Sequence, residues 1–196
     1  MKFEVPDGAT PIEDTEGLIP PVATMGDLNA VEAENILLAL DRHLSRRKPQ
    51  DAGWLDEAFV RRLHKDMFSN VWEWAGLYRN RELNIGVAPH RVIEEVAKLL
   101  GDFRYRHEHA DQNPILDTAV RVHHGLVRIH PFRNGNGRHA RMVADIYLHS
   151  QSHALPNWPQ NALGVNSDVR TRYIAALRLA DQGDYSQLVS FINSLL

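Results

Sequence analysis

The chain contains no cysteine, which removes disulfide frameworks, thiol nucleophiles and cysteine-ligated metals from consideration. It has no apolar run approaching the ~18 residues that a membrane-spanning helix needs. Its start, Met1-Lys2-Phe3-Glu4, does not open a signal peptide. It also has little excess charge, a net -3 over 196 residues, and so lacks the basic footprint of a general nucleic-acid binder. These absences predict a cytoplasmic protein with no membrane contact and no direct nucleic-acid binding. What is present is ordinary for a globular domain: 43% hydrophobic and 24% charged residues, in a length that suits one domain with a full core.

Residues 1–26 are rich in proline, glycine and acids and read as an extended N-terminal arm, with Leu18, Ile19 and Val22 as its apolar anchors. From Asp27 a 3.6-residue period begins at Leu28, Val31, Ile36, Leu37, Leu40 and Leu44. Asp27 is the expected N-cap, and the helix should stop before Pro49. Further helices are expected at about Leu55–Phe68, Arg91–His107, Ile115–Ile129, Asn136–Ser150, Asp168–Gln182 and Tyr185–Leu195, with a loop over 151–167. Between them, RNRELNIGVAP (79–89) is polar, then β-branched, then broken by Gly86 and Pro89, the pattern of a short hairpin. The fold class is therefore mostly all-α with one small β-hairpin.

The chemistry concentrates in HPFRNGNGRHAR, His130 to Arg141. Gly135 and Gly137 let the backbone turn and bring N–H groups close to a phosphate. A helix starting near Asn136 adds its positive end at the same place. Arg138 and Arg141, three residues apart, share one helix face and can grip outer phosphates with two guanidinium forks. His130 can accept a proton near neutral pH. The pattern suits holding a polyphosphate while a proton leaves an attacking group. Two other features read more simply. His123 and His124 lie on an apolar helix, where packing is favoured over orienting His130 or binding a metal. Arg42, Arg46, Arg47 and Lys48 read as a solvated helix end.

The motif resembles the Fic (Fido) signature HxFx(D/E)GNGRxxR at every defined position but Asn134, where the family has Asp or Glu. LHKDMFSNVWEWAGLYR (63–79) is similar to the family's helix before its flap, and RYIAALRLADQGDYSQLVSF (172–191) to its C-terminal helices. GATPIEDTEGLIPP with DLNAVEAENI resembles the subgroup called mobile mystery protein B, whose signature also often carries Asn. The resemblance implies a Fic domain over residues 27–196, built as a helical domain with a hairpin flap. It also implies transfer of AMP from ATP to a Ser, Thr or Tyr hydroxyl of a target protein. On that basis His130 is the general base. Gly135, Asn136 and Gly137 hold the α- and β-phosphates, and Arg138 and Arg141 the β- and γ-phosphates. Phe132 is a buried anchor.

Asn134 stands where the family's carboxylate ligates Mg²⁺. A neutral amide can ligate through its carbonyl but gives up one charge, so the ion would be carried mainly on the nucleotide phosphates. The flap at 79–89 is expected to dock the target by strand addition. Family members are commonly inhibited by a helix of pattern (S/T)xxxE(G/N) whose Glu pairs with the second signature arginine. Glu34 and Glu16 are the candidates here, each lacking the hydroxyl residue. The subgroup also implies a helix-turn-helix, antitoxin-like partner. Two alternatives stay open: a Doc-like phosphotransferase, against which the intact GNGR argues, and a catalytically impaired nucleotide-binding regulator, which Asn134 supports.

Overall fold

Why the first helix begins where it does is settled by a reciprocal pair. Asp27 N–H donates to Thr24 Oγ1 at 3.1 Å, and Thr24 N–H donates to Asp27 Oδ2 at 2.9 Å. This capping box satisfies two otherwise orphaned donors, so Thr24 is the N-cap and the expected cap, Asp27, is its N3 partner. The computed structural model describes residues 16–163 and 167–196. Helix α1 spans Met25–Leu44 and α2 spans Glu57–Phe68, the latter capped by Asp56, which accepts from Phe59 N–H at 2.6 Å. After a 3-10 turn at Pro89–Arg91 come α3 (Val92–Glu108), α4 (Ile115–Ile129) and α5 (Asn136–Ser150). The short α6 (Gln160–Leu163) lies within the expected loop, followed by α7 (Asp168–Asp181) and α8 (Ser186–Asn193).

Helices α4 and α5 form the centre. Leu126, Ile129, Val143 and Ile146 are completely buried there, with Phe59, Val60 and Leu63 of α2 and Val96 of α3 in the same core. Burying each such side chain contributes roughly 1.5–3 kcal/mol. A second cluster joins Val120 to Trp158, Tyr173, Leu177, Leu188 and Ile192, which seats α7 and α8 on the other flank of α4. The loop between α4 and α5, residues 130–135, thus springs from the two most enclosed helices.

Two expectations change. Residues 79–89 form an irregular stretch with bends rather than a hairpin; among the described residues the β-pairing is one isolated antiparallel bridge, Leu18 to Trp72. That bridge explains the arm. Ile19 N–H donates to Val71 O at 2.9 Å and Glu73 N–H to Gly17 O at 2.8 Å. Leu18 and Val22 pack on the core, whereas Ile19 is half exposed, so backbone pairing rather than its side chain fixes it. Residues 1–15 of the arm lie outside the described residues. The basic run behaves as a helix end: Arg42 pairs with Asp66 at 3.2 Å and Arg47 donates to Ser152 at 2.9 Å.

Candidate active site

His130 is the C-cap of α4 in a left-handed conformation, φ 55° and ψ 60°. Its N–H closes the helix on Leu126 O at 3.0 Å. Its Nδ1 lies 3.1 Å from Val127 O, and only a protonated Nδ1 can donate there. The tautomer so selected leaves the basic lone pair on Nε2. Burial pushes the imidazole down to about 4, and the neighbouring Arg79 cation acts in the same direction against the Val127 hydrogen bond. At neutral pH the ring is therefore the unprotonated form a general base requires.

The loop that follows is braced from beneath. Phe132 is completely buried and stacks on His64 with ring centroids 3.7 Å apart. His64 accepts from Gly76 N–H at Nδ1 (3.0 Å) and donates from Nε2 to Asn134 O (3.0 Å). Burial holds this imidazole well below its usual range, in keeping with a neutral ring. Asn136 braces the loop as well. Its Oδ1 accepts from Phe132 N–H at 2.8 Å and its Nδ2 donates to Phe132 O at 2.9 Å. Both ends of the amide shape the loop, so the Asn136 side chain is committed to Phe132. Gly135 is required twice: φ is 76°, and a Cβ would lie 2.4 Å from the Phe68 ring.

Arg138 and Arg141 leave the first turns of α5 toward different neighbours, Arg138 toward Glu32 and Phe68 and Arg141 toward Trp158. Arg141 is 7% exposed. Its guanidinium lies over Trp158 at 5.5 Å and bonds the Tyr173 hydroxyl. Beside it, Asp145 accepts from Trp158 Nε1 at 3.0 Å, and burial raises its carboxyl to about 7. Arg138 meets an acid that the sequence reading did not single out. Its Nη1 is 2.7 Å from Glu32 Oε2, and Glu32 is 1% exposed. Trp72 Nε1 donates to Glu32 Oε1 at 2.7 Å, and Asn134 Nδ2 donates to the same oxygen at 3.3 Å. Asn134 Oδ1 accepts from Gly135 N–H at 2.7 Å.

The two acids singled out earlier lie elsewhere. Glu34 is on the exposed side of α1, because two residues turn a helix by about 200°. Glu16, largely exposed, pairs with Arg133 at 3.0 Å. His123 and His124 pack as expected: His123 Nε2 lies 2.7 Å from the Tyr173 hydroxyl, and His124 Nε2 2.8 Å from Asp181 Oδ1. Among the described residues no group of three or more His, Cys, Asp or Glu could hold a metal ion.

Arg79 is the other unforeseen participant. It is 3% exposed and clasps residues 79–89 to the signature. Its backbone N–H donates to Pro131 O at 2.9 Å. Its Nε donates to His130 O at 2.6 Å, and Nη2 donates to Val87 O and to Ile129 O. These carbonyls include the negative end of the α4 dipole, where a cation is favoured. Gly86 completes the contact, since a Cβ there would lie 2.6 Å from His130 Cβ. The stretch 79–89 thus borders the candidate base, although it is not a strand pair.

Residues 54–148 match the model of the Fic/DOC family. The chain is 30% identical over 122 residues to the protein adenylyltransferase fic-1 of Caenorhabditis briggsae, covering 60% of this chain and 22% of that protein. It is 28% identical over 138 residues to the protein adenylyltransferase VbhT of Bartonella schoenbuchensis, covering 67% and 29%. The chain thus spans less than a third of either relative. Among solved structures it resembles the BepC protein of Bartonella tribocorum with bound AMPPNP. The TM-score is 0.65 at 17% identity, over 89% of this chain and 88% of that one. It also resembles residues 134–508 of Fic-1 from Caenorhabditis elegans, with a TM-score of 0.66 at 20% identity, over 94% and 52%. These likenesses show the fold.

Proposed function

We propose that this chain, which carries a Fic/DOC family domain over residues 54–148, transfers AMP from ATP to a Ser, Thr or Tyr hydroxyl of a target protein. The observation that carries the reading is the pairing of a buried, neutral His130 with a glycine-turned helix start. Next to it stand Arg141, which is buried, and Arg138, which is partly exposed and paired with Glu32. His130 Nε2 takes the proton of the target hydroxyl. The freed oxygen attacks the α-phosphorus, the α–β anhydride bond breaks, and pyrophosphate leaves with the charge that Arg138 and Arg141 neutralise. Positioning and charge stabilisation dominate such chemistry. The relatives named protein adenylyltransferase support the same donor.

Magnesium belongs to this proposal as the ion accompanying the triphosphate, where it would neutralise phosphate charge. Such an ion usually takes one or two protein carboxylates and keeps phosphate and water oxygens. The donors beside the loop, Glu32 and the Asn134 amide, fit that modest demand. Residues 79–89 are proposed to receive the target segment, which their contact with His130 supports. The mobile mystery protein B subgroup, its antitoxin-like partner and a cytoplasmic setting rest on the sequence reading; among the described residues no helix is long and apolar enough to cross a membrane.

Labelled ATP tests the reaction. With label on the α-phosphate, protein should become labelled; with label on the γ-phosphate, it should not. Label from γ alone would establish phosphotransfer, and saturable ATP binding without label from either would establish a nucleotide-binding regulator.

A further inference from the structure

Asn134 removes a carboxylate from the signature, and a buried carboxylate stands 3.3 Å away from its amide nitrogen. We propose that Glu32 is the cation-binding carboxylate of this site, relocated from the loop to α1. The inference rests on the nucleotidyl-transfer reading and specifies how its metal is held.

Glu32 is 1% exposed and anchored through Oε1 by the Trp72 indole. Its Oε2 accepts no hydrogen bond and has the Arg138 guanidinium as its ion-pair partner. A buried carboxylate persists only while a cation compensates it. When a triphosphate draws Arg138 to its own oxygens, that compensation is lost. The carboxylate then faces a polyanion, and the Trp72 hydrogen bond keeps it from swinging away. A divalent cation shared between Glu32 and the phosphates restores the balance, and one carboxylate plus phosphate oxygens and water is a common Mg²⁺ environment. Glu32 and Arg138 therefore exchange partners on loading: the ion pair opens, Arg138 takes phosphate, and Glu32 takes the metal.

The identity of residue 134 follows from the same geometry. The Asn134 amide donates to Glu32 and accepts from Gly135 N–H. An aspartate there would set two carboxylates against each other. An amide at 134 and an acid at 32 form a compatible set, and so would an acid at 134 and an amide at 32.

That equivalence supplies the test. Mn²⁺ binding to the full chain saturated with the non-hydrolysable analogue AMPPNP is measured by electron paramagnetic resonance. The wild type, Glu32→Gln and the exchange variant Glu32→Gln with Asn134→Asp are compared, and thermal melts confirm that each is folded. Glu32→Gln should weaken Mn²⁺ at least about tenfold, the lower end of losses seen when metal surroundings are altered. Metal-free AMPPNP binding should be retained or tightened, because Arg138 is released. The exchange variant should recover most of the Mn²⁺ affinity, an outcome that a packing role for Glu32 does not produce. Unchanged Mn²⁺ affinity in Glu32→Gln, or no recovery in a folded exchange variant, overturns the relocation while AMPPNP binding still upholds the nucleotide site. A wild type that binds no AMPPNP overturns both.

Discussion

His130 holds a conformation that a side chain with a β-carbon rarely adopts, φ 55°, at a cost of about 1–3 kcal/mol. The surrounding contacts must hold it there: the Leu126 and Val127 carbonyls on one side, Arg79 and Gly86 on the other. The reward is a neutral imidazole aimed from a fixed point. Replacing it by alanine should lower transfer by roughly 10²- to 10⁴-fold, the usual worth of a general base. ATP affinity, measured by calorimetry, should stay nearly unchanged. Wild-type transfer in that variant would remove His130 from the chemistry. Arg141 is best tested by Arg141→Lys, since the side chain is buried with its guanidinium over Trp158 and alanine would also leave a cavity. Lysine keeps the charge and loses the fork. ATP should bind about tenfold more weakly, a loss near 1.4 kcal/mol, and AMP binding should change much less. Equal losses would place Arg141 away from the outer phosphates.

At the scale of elements, the segment from Arg79 to Pro89 shows where pattern reading stops. Leu83, Ile85 and Val87 alternate as in a strand, and the sequence reads as a hairpin. In the structure the carbonyls of this stretch and of the α4 end are gathered by one guanidinium instead of a ladder. Arg79→Met should leave several of those carbonyls without donors, costing about 2 kcal/mol or more. Amide exchange should then speed up in residues 79–91 and 129–135 and remain slow in α2 and α5. Uniform acceleration across all helices would mean that Arg79 supports the whole fold rather than this junction.

The outer helices were legible because each buries one stripe, as α2 does with Phe59, Val60, Leu63 and Met67, and the signature was legible because its residues are contiguous. Glu32 was not, because its partner Asn134 lies 102 positions away and nothing local separates it from Glu34 two residues on. His64 was hidden for the same reason: its role under Phe132 exists only once α2 meets the loop. The commitment of the Asn136 amide to Phe132 was likewise hidden, because it forms only when the loop folds.

For the molecule as a whole, the buried histidines set the response to acid. Burial lowers His123 to about 3 and His130 and His139 to about 4, and holds His64 well below its ordinary 6.5. Below pH 6.5 the unfolded chain takes up protons that the folded one refuses. The stability these rings contribute is therefore complete above pH 6.5 and is lost as pH falls toward 4. Asp145, raised to about 7 from 3.8, acts oppositely over that window, as one group against five, since burial lowers His124 as well. The urea midpoint should fall steadily between pH 7 and pH 4.5; a flat or rising midpoint would contradict the burial of these neutral rings.

The tryptophans give the molecule an optical property. Of the four in the sequence, Trp72 touches the carboxylate that Arg138 neutralises, and Trp158 lies under Arg141 with its indole N–H on Asp145. Indole emission shifts with the field across the ring, and both rings border charges that a triphosphate would rearrange. Nucleotide loading should therefore register in the intrinsic fluorescence of the unlabelled chain, with Trp72 reporting the first signature arginine and Trp158 the second.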